Sequence, residues 1–375
     1  MSTEAVAAAV RESNATRTSL RISGRSNWLT AGRPVRASKN LSLRNDSGVV
    51  SYVPGDLTLT VRAGTPLSEI ERVTREHAQW LPLDPYGSND GTIGATIATA
   101  SAGPLATQFG LPRDLVLGLE FVNGRGDIVR AGGKVVKNVA GFDLSRLLTG
   151  SWGTLGVITE VTLRLYARPK ADRTVVVRLK GNDKESTAFL RALLATPLNP
   201  YSLELLGVSA SEALGFGVYK SCLIRLGGNA AAVDAQLREL SSLAKSEEVE
   251  TVVWERLRNL EKDARTVCRI SRLPSTFWGA WVFLLSDHIP FISEYIDPVR
   301  GVLRVVVYDP GDAHDEEESL LGIDPAFMPE EHTIFEMLPA EAWAEIPSAV
   351  SDSLSMGIKK AYDPNNILNP GILGD

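Results

Sequence analysis

Three stretches of this chain set glycine among small hydroxylated residues, a composition that lets a backbone come close to a bulky anionic ligand. The first, residues 21–27 (RISGRSN), reads as a short strand running into a glycine-containing turn, where successive backbone N–H groups can converge on an anion. An ordinary surface turn fits the same tripeptide, Gly24-Arg25-Ser26. The second, residues 84–104 (DPYGSNDGTIGATIATASAGP), holds Gly87, Gly91, Gly94 and Gly103. Its Gly91-Thr92-Ile93-Gly94 opens a run of alanine and threonine that can set a helix N-terminus beneath a pyrophosphate. A tight loop followed by a small-residue packing helix accounts for that run equally well. The third, residues 137–165 (KNVAGFDLSRLLTGSWGTLGVITEVTLRL), is punctuated by Gly141, Gly150, Gly153 and Gly156 around a predicted helix at 143–148 and a long strand at 156–165. None of the three matches G-x-G-x-x-G with an acidic residue about twenty positions later, nor G-x-x-x-x-G-K-[ST], which argues against a Rossmann nicotinamide site and a P-loop.

The rest of the chain narrows the field. At 375 residues it is long enough for two or three domains, and a chain of that size buries about three-quarters of its surface on folding. With 39 Lys+Arg against 45 Asp+Glu the net charge is −6, and no basic block occurs, so neither nucleic acid nor an anionic membrane surface is an expected partner. Cys222 and Cys268 lie 46 positions apart and outside any C-x-x-C; alone they hold neither an iron–sulfur cluster nor a four-cysteine zinc site, and they suit a reducing compartment. The first ten residues contain AVAAAV but no basic lead, and read as a short amphipathic helix. The longest strongly apolar run, 277–285 (FWGAWVFLL), is half of what a membrane helix needs and reads as a buried strand, so the chain is not expected to be an integral membrane protein.

Around the glycine loops, strands are expected at 41–44, 49–53, 57–62, 115–122, 127–130 and 156–165. One helix interrupts them: Pro66 suits a first turn, and Leu67, Ile70 and Val73 recur at helical spacing through to His77. The segment 167–172 (ARPKAD) marks a boundary. Beyond it come a strand at 174–179, a helix at 184–195, strands at 203–206 and 218–226, a helix at 230–245 and a strand at 251–254. This is the β-α-β-β-α-β succession of a ferredoxin-like antiparallel sheet, which 277–285 and 302–308 extend. The acidic stretch 309–318 (DPGDAHDEEE) breaks it, a final amphipathic helix is expected over 339–360, and the tail 363–371 (DPNNILNPG) is built of turn formers.

Residues 137–165 closely resemble the flavin-binding signature of the FAD-linked oxidases of the vanillyl-alcohol oxidase and para-cresol methylhydroxylase (PCMH) type, with Arg113-Asp114 and 116–120 resembling the strand before it. The likeness extends over the first 170 residues and returns at the tail. Within the family it is strongest to the FAD-binding subunits of bacterial glycolate oxidases, through Gly32-Arg33-Pro34, the block 137–160 and 273–278 (LPSTFW). The implied fold is α+β: a two-part PCMH-type FAD-binding domain at 1–170, a ferredoxin-like antiparallel α+β substrate or cap domain at 171–355, and a tail at 356–375 that returns to the flavin. By the same resemblance FAD is held by Ile22, Ser23, Gly24, Arg25, Ser26 and Asn27 of a pyrophosphate loop, and by Asp84, Gly91, Thr92, Ile93, Gly94, Ala98, Ser101 and Gly103 of a second loop. Arg113 and Asp114, then Gly141, Asp143, Gly150, Gly153, Thr154, Gly156, Val157 and Ile158, and finally Asn369 complete the implied set. Asn27 and Trp28 stand where a tethering histidine would be needed, so the FAD is expected to be non-covalent.

The implied activity is oxidation of a small 2-hydroxy acid, glycolate or D-lactate. It requires a cation for the carboxylate, a base for the hydroxyl proton and an α-hydrogen aimed at the flavin. Of the four histidines, His77 falls on the early helix and His314 and His332 in acidic or loop sequence; His288, at the end of a predicted core strand, is the candidate catalytic base. Lys134, Lys137 and Arg113 fit either a cation near the flavin or, more commonly for any one of them, a solvated surface charge, and Arg265, Arg269 and Arg272 flank a run that fits either a carboxylate site or a solvated strand face. Nothing matches the histidine-rich motif of the family's large catalytic subunits, and the acidic 309–318 stands where related small subunits often show Gly-Gly-His. The implied partners are therefore a larger FAD-linked catalytic subunit and an iron–sulfur subunit, in the cytoplasm or at the inner face of the membrane through those subunits. A self-sufficient dehydrogenase and a non-catalytic scaffold are the alternatives.

Overall fold

The computed structural model describes residues 2–87, 90–133, 143–179, 183–276, 291–309 and 333–374, in two units. The strand Val157–Arg164 (VITEVTLR) alternates buried with half-buried or exposed side chains from Thr159 onward and is the central strand of the sheet in unit 1, which comprises Met1–Gly103, Phe109–Arg168 and Trp343–Asp375. Its neighbours form a five-stranded antiparallel sheet in the order Val49–Val53, Thr58–Arg62, Val157–Arg164, Val116–Val122, Ile128–Gly132. Leu59, Val61, Phe121, Val157 and Leu163 are fully buried there, each contributing about 1.5–3 kcal/mol. The helix Thr3–Thr16 adds Val6, Ala7 and Val10 to this core; Ser2 Oγ accepts from the Ala5 N–H at its start, and a left-handed Arg17 (φ +52°) ends it. The predicted strand at 57–62 loses its first residue because Leu57 is left-handed (φ +54°).

A second, parallel pair, Leu20–Ser23 with Lys39–Ser42, receives the C-terminal tail. The Leu20 N–H donates to the Ile367 carbonyl at 2.7 Å, and the Asn369 N–H donates to the Leu20 carbonyl at 2.9 Å. Asp363 holds the tail's turn, accepting from the N–H groups of Ile367 (3.1 Å) and Leu368 (2.8 Å). Buried Lys359 binds Asp363 at 3.0 Å and the Thr154 carbonyl at 3.1 Å. The final helix is shorter than its predicted 339–360: it runs Ser353–Tyr362, capped by Asp352, while Ala342–Glu345 is a 3-10 turn and Pro347 lies between them.

Unit 2 comprises Pro104–Gln108 and Pro169–Ala342. Its eight-stranded antiparallel sheet runs Glu247–Val249, Ala171–Leu179, Lys220–Gly228, Ser202–Leu206, Ile292–Asp297, Val302–Val307, Thr266–Ser271, Thr333–Met337. The first four strands, with helices Asp183–Leu194 and Ala230–Leu243, have the ferredoxin-like arrangement: fourth beside first, then third, then second. Leu190, Leu193, Val233 and Leu240 of the helices share one core with Val175, Val177, Leu205, Ile224 and Leu226 of the sheet. The fold is α+β, as the family resemblance implies.

Residues 251–254 were expected as a strand, and they instead lead into the helix Val253–Asn259. Trp254 and Leu257 are buried one turn apart on it, with Trp254 Nε1 donating to Thr174 Oγ1 at 2.9 Å, so the apolar run is one helical face and Glu247–Val249 closes the sheet. Ile292–Asp297 and Thr333–Met337 had no sequence signal, whereas Thr266–Ser271 matches the strand alternative offered for the run between Arg265 and Arg272. The predicted strand 277–285 lies outside the described residues. No helix among the described residues is long and apolar enough to cross a membrane.

The opposite face of the sheet buries charge. Arg304, 3% exposed, donates from Nη2 to Glu261 Oε2 at 2.8 Å and to Glu336 Oε2 at 2.6 Å. Arg269 binds Glu336 at 3.1 Å, and the Tyr295 hydroxyl donates to Glu261. Burial raises both carboxyls; for Glu336 the Arg304 and Arg269 guanidiniums outweigh it and leave that group below the usual range, whereas Glu261 stays above it.

Glu294 is a different case. Burial pushes its carboxyl up to about 8, and a Cβ on Gly207 would come within 2.3 Å of its Oε1. From the ordinary value of 4.5 up to about 8, the folded chain keeps a proton that the unfolded chain releases, so stability falls with rising pH across that window. The slope is at most about 1.4 kcal/mol per pH unit. Glu294→Gln should melt at nearly the wild-type temperature at pH 5 and above it at pH 8.5, as read by calorimetry at both pH values. Parallel pH profiles for the two proteins would contradict the protonated Glu294.

Candidate cofactor site

The three glycine-bearing stretches meet in one cleft of unit 1. After Ser23 the chain leaves its strand and turns through Gly24 to Trp28, with Ser26 left-handed at φ +65°. The N–H groups of Gly24, Arg25, Ser26 and Asn27 donate to no protein acceptor among the described residues, which leaves a row of donors for an anion. Arg25 reaches Asp90 at 3.8 Å.

The second wall is the start of the helix Ile93–Thr99. Thr92 caps it, Oγ1 accepting from the Ala95 N–H at 3.4 Å, and the Gly94 N–H donates to the Ala63 carbonyl at 2.9 Å. Two glycines permit these approaches: a Cβ on Gly24 would sit 2.3 Å from Thr92 Oγ1, and one on Gly94 would sit 2.7 Å from Ala63 Cβ.

The third wall hangs on that helix, because the Gly150 N–H donates to the Ile97 carbonyl (3.0 Å) and the Trp152 N–H to the Ala98 carbonyl (2.8 Å). Asn369 joins it to the first loop. Its Oδ1 accepts from the Ile22 N–H at 2.7 Å, and its Nδ2 donates to the Trp152 carbonyl at 2.7 Å. Gly153 lies against the same amide, since a Cβ there would be 2.8 Å from Asn369 Nδ2.

Of the residues singled out in the sequence, Ile22, Ser23, Gly24, Arg25, Ser26, Asn27, Gly91, Thr92, Gly94, Ala98, Gly153, Gly156, Ile158 and Asn369 line the cleft. Ile93 and Val157 are fully buried beneath it, and Gly150 and Thr154 brace its backbone; Thr154 Oγ1 donates to the Ser151 carbonyl. Asp84, Ser101 and Gly103 do not line it: a Cβ on Gly103 would meet the Asp84 carbonyl at 1.9 Å, and buried Ser101 Oγ has no partner among the described residues. Arg113 and Asp114 lie on exposed surface, where Asp114 Oδ2 accepts from the Leu111 N–H, and Asp143 caps the helix Leu144–Leu148. Their carboxylates serve backbone N–H groups. His77 packs edge-on against Tyr52. Lys134, Lys137, Gly141, His288, His314 and His332 lie outside the described residues.

Sequence reasoning missed Trp28 and Trp152 as cleft residues, along with Val35, Leu43, Ala63 and Ile372. The two tryptophans sit within or beside the glycine blocks and carried a local signal; the others reach the cleft only through tertiary placement. In unit 2, Arg269 is tied to Glu336, and Cys268 is buried with its thiol pushed up to about 12 by desolvation.

Comparison with known proteins identifies the chain's family. A family model described as an FAD binding domain matches residues 1–132. Glycolate oxidase subunit GlcE of Escherichia coli (strain K12) is 35% identical over 272 residues, covering 72% of this chain and 70% of that protein. The chain belongs to the PCMH-type FAD-linked oxidase family. Glycolate oxidase subunit GlcD of Bacillus subtilis (strain 168) is 27% identical over 377 residues, covering 90% of this chain and 80% of its own length. Among solved structures, 4-ethylphenol oxidase from Gulosibacter chungangensis superposes with a TM-score of 0.73 at 15% identity, over the whole of this chain and 88% of that one, which shows the shared fold. As a member of this family the chain is an FAD-linked oxidoreductase. The cleft suits FAD, with unpaired N–H groups for phosphate oxygens, glycines where a side chain would block the approach, and apolar walls. Its described lining includes no histidine or cysteine.

Proposed function

We propose that this chain is the FAD-binding subunit of a glycolate-oxidase-like complex, which oxidises a small 2-hydroxy acid, glycolate or D-lactate, to the 2-oxo acid and passes the electrons to an iron–sulfur partner. The observation that carries the reading is the glycine-walled cleft closed by Asn369, in a chain 35% identical to a glycolate oxidase subunit. In this reading the N–H groups of Gly24 to Asn27 bind the pyrophosphate and orient it, and Asn369 keeps the first and third walls in register. Bound FAD supplies a two-electron acceptor, held without a covalent bond.

The strand arginines of unit 2 are engaged in ion pairs. A 2-hydroxy acid needs a cation for its carboxylate, and every arginine on the described strands of the large sheet is already tied to a carboxylate. Arg173 pairs with Glu248, Arg178 with Glu247 (2.6 Å), Arg225 with Asp172 (2.6 Å), and Arg269 and Arg304 with Glu336. Buried Cys222 and Cys268 are too few to hold a cluster, so the iron–sulfur centre belongs to another chain. The complex is then cytoplasmic, or held at the inner face of the membrane by those partners.

Anaerobic addition of glycolate or D-lactate to the isolated chain, and to the chain copurified with its partners, tests the reading. The 450 nm band should persist in the first sample and bleach in the second. Bleaching of the isolated chain at a catalytic rate would make it a self-sufficient dehydrogenase, and a band that persists in both would favour a scaffold.

A further inference from the structure

We propose that Trp28 and Trp152 form an aromatic wall on which a flat ring of FAD stacks. The two indoles line the same cleft from different loops, their ring centroids 6.2 Å apart and their planes 24° from parallel. Trp28 follows directly on the row of unpaired N–H groups at Gly24 to Asn27, so a ligand whose phosphates lie on that row has a ring system within reach of it. Trp152 is held in place at a cost. Its backbone is left-handed (φ +54°), a conformation that bulky L-residues rarely adopt, and it is fixed from both sides by the Ala98 carbonyl (2.8 Å) and Asn369 Nδ2 (2.7 Å). Flanking Gly150 and Gly153 take similar φ values, +83° and +72°, so glycine would fit position 152 without strain, yet the chain places its largest side chain there. Ser26 and Asn369, the other left-handed non-glycine residues of the lining, are at φ +65° and +44°. A bulky left-handed residue such as Trp152 in a cleft is the kind of local strain found at ligand clamps. Stacking on an indole holds a flat ring without a covalent bond.

The inference rests on the cleft being the FAD site, and the ring is either the adenine or the isoalloxazine. Both questions are open to calorimetric titration of the full chain, stripped of flavin, with FAD, ADP and FMN. Trp28→Ala and Trp152→Ala should each raise the Kd for FAD about tenfold or more, with Trp28→Phe recovering most of the loss. ADP weakened in parallel while FMN is unaffected places the adenine on the wall; the reverse places the isoalloxazine there. FAD affinity within twofold of wild type in Trp28→Ala overturns the wall. Should Trp152→Ala not fold, Trp28→Ala decides alone, because its side chain lies in a half-exposed loop. Gly24→Val separates the two levels. If it loses FAD while Trp28→Ala does not, the wall fails and the site stands; if both bind FAD normally, the site assignment fails with it.

Discussion

Asn369→Gly is expected to release FAD from a chain that stays folded. Position 369 is left-handed (φ +44°), so glycine keeps the backbone and only the amide is lost. Among the described residues that amide is the side-chain hydrogen-bond link between the first loop, at Ile22 N–H, and the third wall, at the Trp152 carbonyl. Losing it leaves two polar backbone groups unpaired in a site where Asn369 itself is 5% exposed, at a cost of about 1–3 kcal/mol each. The buried core of unit 1 does not depend on it. Retained flavin should fall at least tenfold, measured as the 450 to 280 nm absorbance ratio after gel filtration, with far-UV circular dichroism unchanged. Asn369→Asp keeps an acceptor for Ile22 but sets a carboxylate oxygen against the Trp152 carbonyl, and should be no better. Full flavin occupancy in Asn369→Gly would show that the loops hold their register without this residue.

Arg304→Met should destabilise unit 2 by about 3–5 kcal/mol, because it strands two buried carboxylates, Glu261 and Glu336, without their shared guanidinium. The sign depends on which partner is removed. Changing Arg304 together with Glu261→Gln and Glu336→Gln removes the two stranded carboxylates and leaves only the half-buried Arg269 without its partner, so much of the lost stability should return, as apolar or neutral replacements of buried ion networks often show. Urea unfolding of the single and triple variants checks both parts. A single variant within about 1 kcal/mol of wild type would mean that water or another cation reaches the carboxylates.

The glycine loops were legible because their chemistry is local: a cradle for phosphate is written in consecutive residues. Residues 49–53 and 116–122 were legible from runs of β-branched and apolar side chains bounded by turn formers. What failed depended on distant partners. In Ile292–Asp297 (ISEYID) the side chains of Ser293, Glu294 and Asp297 are all buried, so a core strand reads as a polar loop. Asp297 is bound by Thr107 Oγ1, 190 positions away in the sequence, at 2.6 Å. At 251–254 a short apolar run fits either period, and only Trp254 bonding to Thr174 identifies a helix. Asn369 was placed at the flavin by resemblance alone; its clasp spans 347 positions to Ile22 and 217 to Trp152. Arg113, Asp114 and Asp143 resembled the family's pattern, yet geometry gives their side chains to the surface and to backbone caps.

The central claim is that this cleft holds one FAD by non-covalent contacts alone. It is tested most directly by denaturing the purified chain with acid and measuring flavin in the supernatant and in the pellet. One FAD per chain should appear in the supernatant over a colourless pellet. A yellow pellet would reveal a covalent tether that the described lining does not provide, and a chain colourless from the start that takes up no added FAD would contradict the cofactor site itself.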